Sequence, residues 1–492
     1  MVPIAADRLS KQLPANLARL GDVYKQCGDL EIKDWRYGPD LKHRAASVYF
    51  KTICEGNTNY MKSALQDLSN HVIGPGLDVT PEMIRVFFGA HGVSSEHATL
   101  ERDWSAVDRL MLQGYLVLLI DGWDYALCFE SEEMETRPVA EPETEPVVQG
   151  PREGTVESLK KNIGMIRKRM QTPALKIQYF RAGGHTNTNI AYGYLEGVVD
   201  PAVLAEFERR LQPIRGRGDI VDTSYIEEII EDRPLSPFPQ FRYTERTDTA
   251  AAAMLNGKIV LLTEGSGSIM ICPGLFFDLL QSSEDYYQRV LVSNFIRWLR
   301  FIALMIAISL PSLYIAVSTF HTELIPTVLL LAIVDSREGI PFGAFVEAVI
   351  MVFFFELLKE AGIRLPRNVG SAVSIVGALV IGEAAINAGI ASPIMVVIVS
   401  LTGIASFSLP QYNLSIALRL IQFPLMALSS LLGGFGILLG YLFIWLHLVT
   451  LTSLGVPFLT PLAPWKGDQL RDTLIRTKLP ALIKRPRPPR ST

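Results

Sequence analysis

Several things this 492-residue sequence has little of set the first limits on it. Its four cysteines, Cys27, Cys54, Cys128 and Cys272, lie far apart with no paired ligand spacing, which argues against a disulfide framework or a zinc site. Its histidines show no metalloprotease spacing, and no Gly-rich loop ends in Gly-Lys-Ser/Thr, since Gly257-Lys258 falls in a strand pattern. No Gly-x-Ser-x-Gly elbow occurs either; Gly265-Ser266-Gly267-Ser268 reads as a hairpin turn. The expectation is therefore a non-enzyme with no metal and no cofactor. Met1 to Pro14 contains no apolar run of signal-peptide length, so the first region is expected to stay in the cytoplasm.

Charge is scarce in one place only. The net charge of −4 is small and suggests no nucleic-acid partner, but the charged residues crowd before Arg300 and thin out from Phe301 to about Leu454. Such a chain is built for two solvents. The expected division is a first α/β subdomain at 1–130, an acidic Pro-rich linker at 131–154, a second α/β subdomain at 155–295, a helical transmembrane domain at 296–455 and a basic tail at 456–492. The fold class is thus a duplicated α/β cytoplasmic region followed by an all-α polytopic membrane domain.

Duplication is read from two hairpins. Tyr115 to Ile120 and Tyr125 to Phe129 flank Asp121-Gly122, and Gly257 to Thr263 leads into Glu264-Gly265 in the same way. Stepping back by one interval from each reaches the strand-like segments Ala46 to Phe50 and Asn189 to Tyr194. The basic helix expected from Glu157 to Met170 is either a solvated face or a contact with acidic lipid or a neighbouring subunit.

Beyond Phe301 the apolar runs approach the ~20 residues needed to cross a hydrocarbon core. Candidate spans are Phe301 to Thr319, Phe342 to Leu358, Val369 to Ala388, Pro393 to Leu409, and Leu414 to Leu454, the last folded as a hairpin near Gly433-Gly434. Lys and Arg in alternate loops and in the tail put both termini in the cytoplasm, with an even number of crossings, about six.

Polar groups inside this domain are the pointers to function, because an ionised side chain at mid-membrane costs about 2.5 to 3.5 kcal/mol on insertion scales. The run Asp335-Ser336-Arg337-Glu338-Gly339-Ile340-Pro341 interrupts the apolar pattern and reads as a broken helix facing a partner or a cavity, or as an outer loop. Glu347, ~7 Å into the next helix, is expected to meet Arg337, while Glu356 is expected to pair with Lys359. The small-residue span from Val369 carries the stripe Ala372, Val376, Leu379, Val380, Glu383 and Asn387. Two readings of it stand side by side: a pore lining with an acidic collar over an apolar gate, or helix packing.

The residues also resemble a known family, the A subunits of the GerA-type spore germination receptors. The landmarks are Glu145-Pro146-Val147-Val148 with Gly150-Pro151-Arg152-Glu153-Gly154, Tyr225-Ile226-Glu227-Glu228, Ser236-Pro237-Phe238-Pro239, Ser283-Glu284-Asp285-Tyr286-Tyr287, Arg337 to Phe342, and Ser392-Pro393-Ile394. The resemblance implies a protein of the spore inner membrane that acts with a transporter-like B subunit and a lipoprotein C subunit. It further implies a homo-oligomeric ring conducting cations when nutrient is sensed. On the leading reading of the residues, the Arg337 to Phe342 break couples an outer partner to the pore helix. The competing expectations are a secondary transporter with a broken-helix substrate site and a membrane scaffold for partner subunits.

Overall fold

The computed structural model describes residues 8–38, 41–54, 61–62, 65–66, 80–90, 98–130, 141–142, 144–214, 219–364, 377, 380–467 and 470–478. The chain divides into two compact units. The first takes residues 1–147, 151–230 and 243–272; the second takes 148–150, 231–242 and 273–492.

The first unit holds two five-stranded sheets with one topology. Strands β1 (Leu30–Tyr37), β2 (His43–Phe50), β3 (Ala98–Glu101), β4 (Leu116–Ile120) and β5 (Ala126–Phe129) lie in the order β1-β2-β4-β5-β3. Strands β6 (Leu175–Ala182), β7 (Thr188–Leu195), β8 (Arg242–Thr244), β9 (Ile259–Thr263) and β10 (Ile269–Cys272) repeat that order as β6-β7-β9-β10-β8. Even the register recurs: Ala46 faces Leu119 as Ala191 faces Leu262. The two hairpins read from the sequence are β4–β5 and β9–β10, with Gly122 and Gly265 in the left-handed region that their turns require.

Both faces of the first sheet are buried, which is why β4 is apolar at every position rather than alternating. On one face Ala46, Val48, Phe50, Val117 and Leu119 pack on helices α1 (Leu13–Val23) and α3 (Trp104–Gln113). On the other, Leu116, Leu118 and Ile120 pack on α2 (Pro81–Gly89). In the second repeat Leu175, Ile177, Val260 and Leu262 are covered by α4 (Leu159–Arg169) and α7 (Thr247–Leu255). Helices α5 (Pro201–Leu211) and α6 (Thr223–Ile230) complete the unit, with Phe207 stacked edge-on against Tyr192.

Two sequence expectations need correcting here. The basic helix is α4, and it is not simply a solvated face: Arg167 is buried against Asp29 of the first repeat. The apolar side of α4, Leu159, Ile163 and Ile166, faces the core, and Arg167 follows it inward. The acidic stretch is also folded over its second half. Glu145 accepts a hydrogen bond from the Thr244 hydroxyl, and the Arg246 guanidinium donates to the Pro151 carbonyl at 2.8 Å. Proline-rich segments leave carbonyls unpaired, and a buried arginine satisfies one of them. Residues 131–140 and 143 lie outside the described residues.

In the second unit, short helices α8 (Phe276–Leu280) and α9 (Glu284–Tyr287) lead into α10 (Val290–Thr319). Then come α11 (Thr327–Ser336), α12 (Ala344–Arg364), α13 (Pro393–Phe407) and α14 (Tyr412–Thr450). Among the described residues, α10 and α14 are long and apolar enough to cross a membrane. Helix α10 starts well ahead of Phe301, because its charged first turns stay helical while Arg297 and Arg300 are buried against Asp285.

Helix α14 reverses at Gly433, whose φ of 62° and ψ of −139° are open to glycine alone. In a straight helix Leu425 and Gly440 would stand ~22 Å apart, yet a Cβ on Gly440 would collide with Leu425, and one on Gly436 with the Leu428 carbonyl. The stretch is a hairpin, as its length and glycines suggested. The His321 ring at the end of α10 accepts the Gly434 N–H at 3.1 Å and fixes the turn. Gly433→Ala, whose Cβ would lie 2.9 Å from Phe320, is expected to cost about 1 to 3 kcal/mol. Thermal unfolding of the full chain in detergent measures it, and an unchanged midpoint would contradict the hairpin.

Candidate functional site

The break between α11 and α12 gathers buried polar groups among the apolar helices of the second unit. Helix α11 stops at Ser336, Gly339 turns the chain at φ 86°, and α12 begins at Ala344. Glu347 is wholly buried on the first turn of α12. Its Oε1 accepts the Ser392 backbone N–H at 2.6 Å and the Ser392 hydroxyl at 2.5 Å, and Arg337 Nε stands 3.7 Å from its Oε2. Ser392 is the N-cap of α13, where its Oγ accepts from Met395 N. The carboxylate therefore sits on the positive end of α13, where an anion is favoured by the helix dipole. Glu338 and Pro341, by contrast, are exposed. Arg337, Glu347 and Ser392 thus form one lock joining three segments of chain, and Ser392 is the member that spacing alone did not reveal.

Of the proposed pore stripe, Val380, Glu383 and Asn387 are described, and all three are exposed on the helical segment 380–387. Ala372, Val376 and Leu379 lie outside the described residues. The opposite side of the same segment is closed, with Gly382 and Ala385 buried among neighbouring helices. The Val380, Glu383, Asn387 face has no covering helix of its own chain among the described residues.

A second polar group sits at the other end of α12. Glu356 does not pair with Lys359 as their spacing suggested. It accepts from Arg419 Nη1 at 2.6 Å, while Lys359 Nζ donates to the Ser406 hydroxyl at 2.6 Å. An arginine brought in from α14 competes for the carboxylate better than a lysine on the same helix, because its planar fork matches the acceptor.

The other landmark residues are brought into packing roles. Within the second unit, Glu284 Oε1 accepts the Val148 N–H at 2.7 Å, and Gly150, at φ 120°, leaves room for the Tyr287 ring that a Cβ would strike. Asp285 binds Arg297 and Arg300. Ser236 Oγ lies 2.8 Å from His447 Nε2, and Phe238 stacks on the same imidazole. In the first unit Tyr243 donates to Glu227 at 2.5 Å; burial, then the Glu227 charge, push its phenol pKa well above the ordinary value.

The first unit also has a cleft of about 420 Å³ lined by Glu31, Tyr49, Lys51, Lys160, Tyr179 and Glu264. Its acids and lysines balance, so it favours neither sign of ligand. No metal-holding group of His, Cys, Asp and Glu occurs among the described residues.

Comparison with known proteins agrees along nearly the whole chain. The family profile described as Bacillus/Clostridium GerA spore germination protein matches residues 18–488. Spore germination protein KA of Bacillus subtilis (strain 168) is 38% identical over 478 residues, covering 97% of this chain and 87% of that one. The uncharacterized membrane protein YfkQ of the same organism is 40% identical over 480 residues, 97% of this chain and 91% of its own. Among solved structures, the N-terminal domain of the A subunit of the Bacillus megaterium spore germinant receptor GerK3 aligns with TM-score 0.42 at 24% identity. That alignment covers 55% of this chain and 98% of that one. The landmarks read from the sequence and the span of these matches lead to one conclusion: the chain belongs to the GerA family of spore germination proteins.

Proposed function

We propose that this chain is the A subunit of a nutrient-germinant receptor in the spore inner membrane, and that several copies of it surround a path for cations. The observation that carries the reading is the outward face of 380–387, where Glu383 is exposed between Val380 and Asn387 on a segment whose other side is packed. A carboxylate at that place in hydrocarbon costs several kcal/mol unless water or another subunit receives it. A closed ring supplies both, with a collar of Glu383 carboxylates concentrating cations above an apolar constriction. Nutrient sensed by transporter-like B and lipoprotein C partners then shifts the ring from closed to open, which requires a few kcal/mol of differential binding.

The test is ion flux through vesicles holding the purified chain. Monovalent cations are expected to pass, and Glu383→Gln is expected to reduce the cation flux several-fold, the sign expected when an acidic ring loses its charge. A cysteine placed at Asn387 should react with aqueous thiol reagents. The native thiols stay silent in this assay because all four are buried and burial raises Cys128 to about 12. Ion-tight vesicles and an unreactive Asn387→Cys would end the proposal. A secondary transporter is the second reading, favoured by the buried Glu347, whose Oε2 has no hydrogen-bond partner at the helix break. Saturable, substrate-coupled uptake by a monomer would select it. A scaffold that only holds partner subunits would give neither flux nor uptake.

A further inference from the structure

The ends of α12, α13 and α14 meet around an uneven set of charges. Lys359 lies ~7 Å from the end of α12 and Arg419 ~10 Å from the start of α14, the depth at which long basic side chains reach toward headgroups. Between them they face one carboxylate, Glu356, which Arg419 already holds at 2.6 Å. The next pair along α12, Glu360 with Arg364, is neutral in sum. Lys359 has no ion-pair partner among the described residues; its ammonium donates to the neutral Ser406 hydroxyl and lies 4.9 Å and 4.4 Å from the Phe355 and Phe407 ring centres. The group therefore carries one positive charge that nothing in it offsets.

The same residues line a crevice. Gln422, Thr402 and Ser406 form its buried floor, while Lys359, Glu356 and Arg419 stand half-buried at its mouth. Gln422 is 2% exposed, and its amide Nε2 has no hydrogen-bond partner. A donor left bare in this way costs about 1 to 3 kcal/mol, so it marks a place for an acceptor. Exposed Phe407 and Tyr412 flank the mouth, and Arg419 lies 5.8 Å from the Tyr412 ring centre. A tyrosine is favoured at the membrane–water boundary, where its hydroxyl stays wet and its ring does not.

We propose that the crevice binds the phosphate of an anionic phospholipid headgroup. The phosphate sits at the mouth against Lys359 and Arg419. The floor has room for about one water, which can join the Gln422 amide to a phosphate oxygen. The acyl chains lie along the exposed apolar surface of Phe353 and Phe407. The inference needs only that these helices cross a bilayer, and it stands whether or not the subunits form a ring.

The full chain is placed in bilayer discs of phosphatidylcholine alone and of phosphatidylcholine with phosphatidylglycerol, and lipid retained on the protein is read by native mass spectrometry. The wild-type chain is expected to retain phosphatidylglycerol and to melt several degrees higher in its presence. Lys359→Met is expected to lose about fivefold in relative retention, and Lys359→Arg to keep it. Inorganic phosphate added to the phosphatidylcholine discs is expected to change nothing. Equal melting and retention in the two bilayers would overturn the proposal, as would a Lys359→Met chain that keeps the preference. If free phosphate reproduces the effect, the ligand is an aqueous anion and the lipid assignment fails. Should Lys359→Met not fold, the wild-type comparison and Lys359→Arg still decide.

Discussion

An Arg167→Leu chain is expected to unfold roughly 10 °C below the wild type. Arg167 and Asp29 are both completely buried, and they meet through two hydrogen bonds, Nε to Oδ2 at 2.6 Å and Nη2 to Oδ1 at 2.8 Å. Thr52 donates to the same carboxylate at 3.0 Å, and the guanidinium lies 4.2 Å from the Phe50 ring centre. Asp29 comes from the first repeat and Arg167 from the second, so this one pair joins the duplicated halves. Its neighbours extend the seam: Gly28 N donates to the Ile177 carbonyl at 2.8 Å, and Lys176 Nζ to the Val23 carbonyl at 3.1 Å. Leucine would leave Asp29 charged with no cation to meet it, which costs about 3 to 5 kcal/mol in a buried setting. Pairing Arg167→Leu with Asp29→Leu should recover much of that loss, because the stranded charge goes too. The check is thermal unfolding of the two variants beside the wild type; a double variant no better than the single would mean that packing rather than charge is at stake.

Asp285→Ala is expected to have a comparable effect on the second unit, about 3 to 5 kcal/mol. The Asp285 carboxylate is 1% exposed and accepts from Arg297 Nε at 3.1 Å and Arg300 Nη1 at 2.8 Å. A third arginine, Arg476, reaches the same elbow from the end of the described chain and donates to the Gln288 carbonyl at 2.9 Å and Ser293 Oγ at 3.2 Å. Arg297 and Arg300 thus share the Asp285 carboxylate, Arg297 also stands 3.1 Å from Asp472, and Arg476 is satisfied by carbonyls and a hydroxyl. Removing Asp285 strips the buried Arg300 of its carboxylate and leaves Arg297 with Asp472 alone. The expected result is a chain that aggregates on detergent extraction or melts far below the wild type in a size-exclusion thermal assay. Arg300→Met should be milder, since Arg297 would still offset the carboxylate.

How much of this was legible depended on how local each cause is. The β4–β5 and β9–β10 hairpins could be read because an acidic-Gly turn between apolar runs leaves the chain few alternatives, and finding it twice exposed the duplication. Helix depth was enough to bring Glu347 and Arg337 together, since a carboxylate one turn inside an apolar helix needs a nearby cation. Lys359 and Glu356 were misread for the opposite reason. Their spacing along α12 was visible, but Arg419, which takes the carboxylate, lies on another helix far along the chain. Arg167 was hidden among the five basic residues of α4, of which only tertiary packing decides the buried one. The broken segment Arg337 to Phe342 was recognised, yet its anchor, Ser392, stood out only within the Ser392-Pro393-Ile394 landmark, because nothing local ties a serine before a proline to a carboxylate 45 residues away.

The partition of the chain has a consequence for biogenesis. The unit containing the apolar helices borrows residues 148–150 and 231–242 from upstream, and it is sealed by Asp472 and Arg476 near the other terminus. Asp232 holds Thr452 and the Leu454 and Gly455 amides, and Ser236 holds His447, across more than 200 residues of intervening chain. The unit therefore cannot close until the segment carrying Asp472 and Arg476 has been made and folds back. A polypeptide begun at Pro273 would carry every apolar helix and still lack the segment that shuts its base.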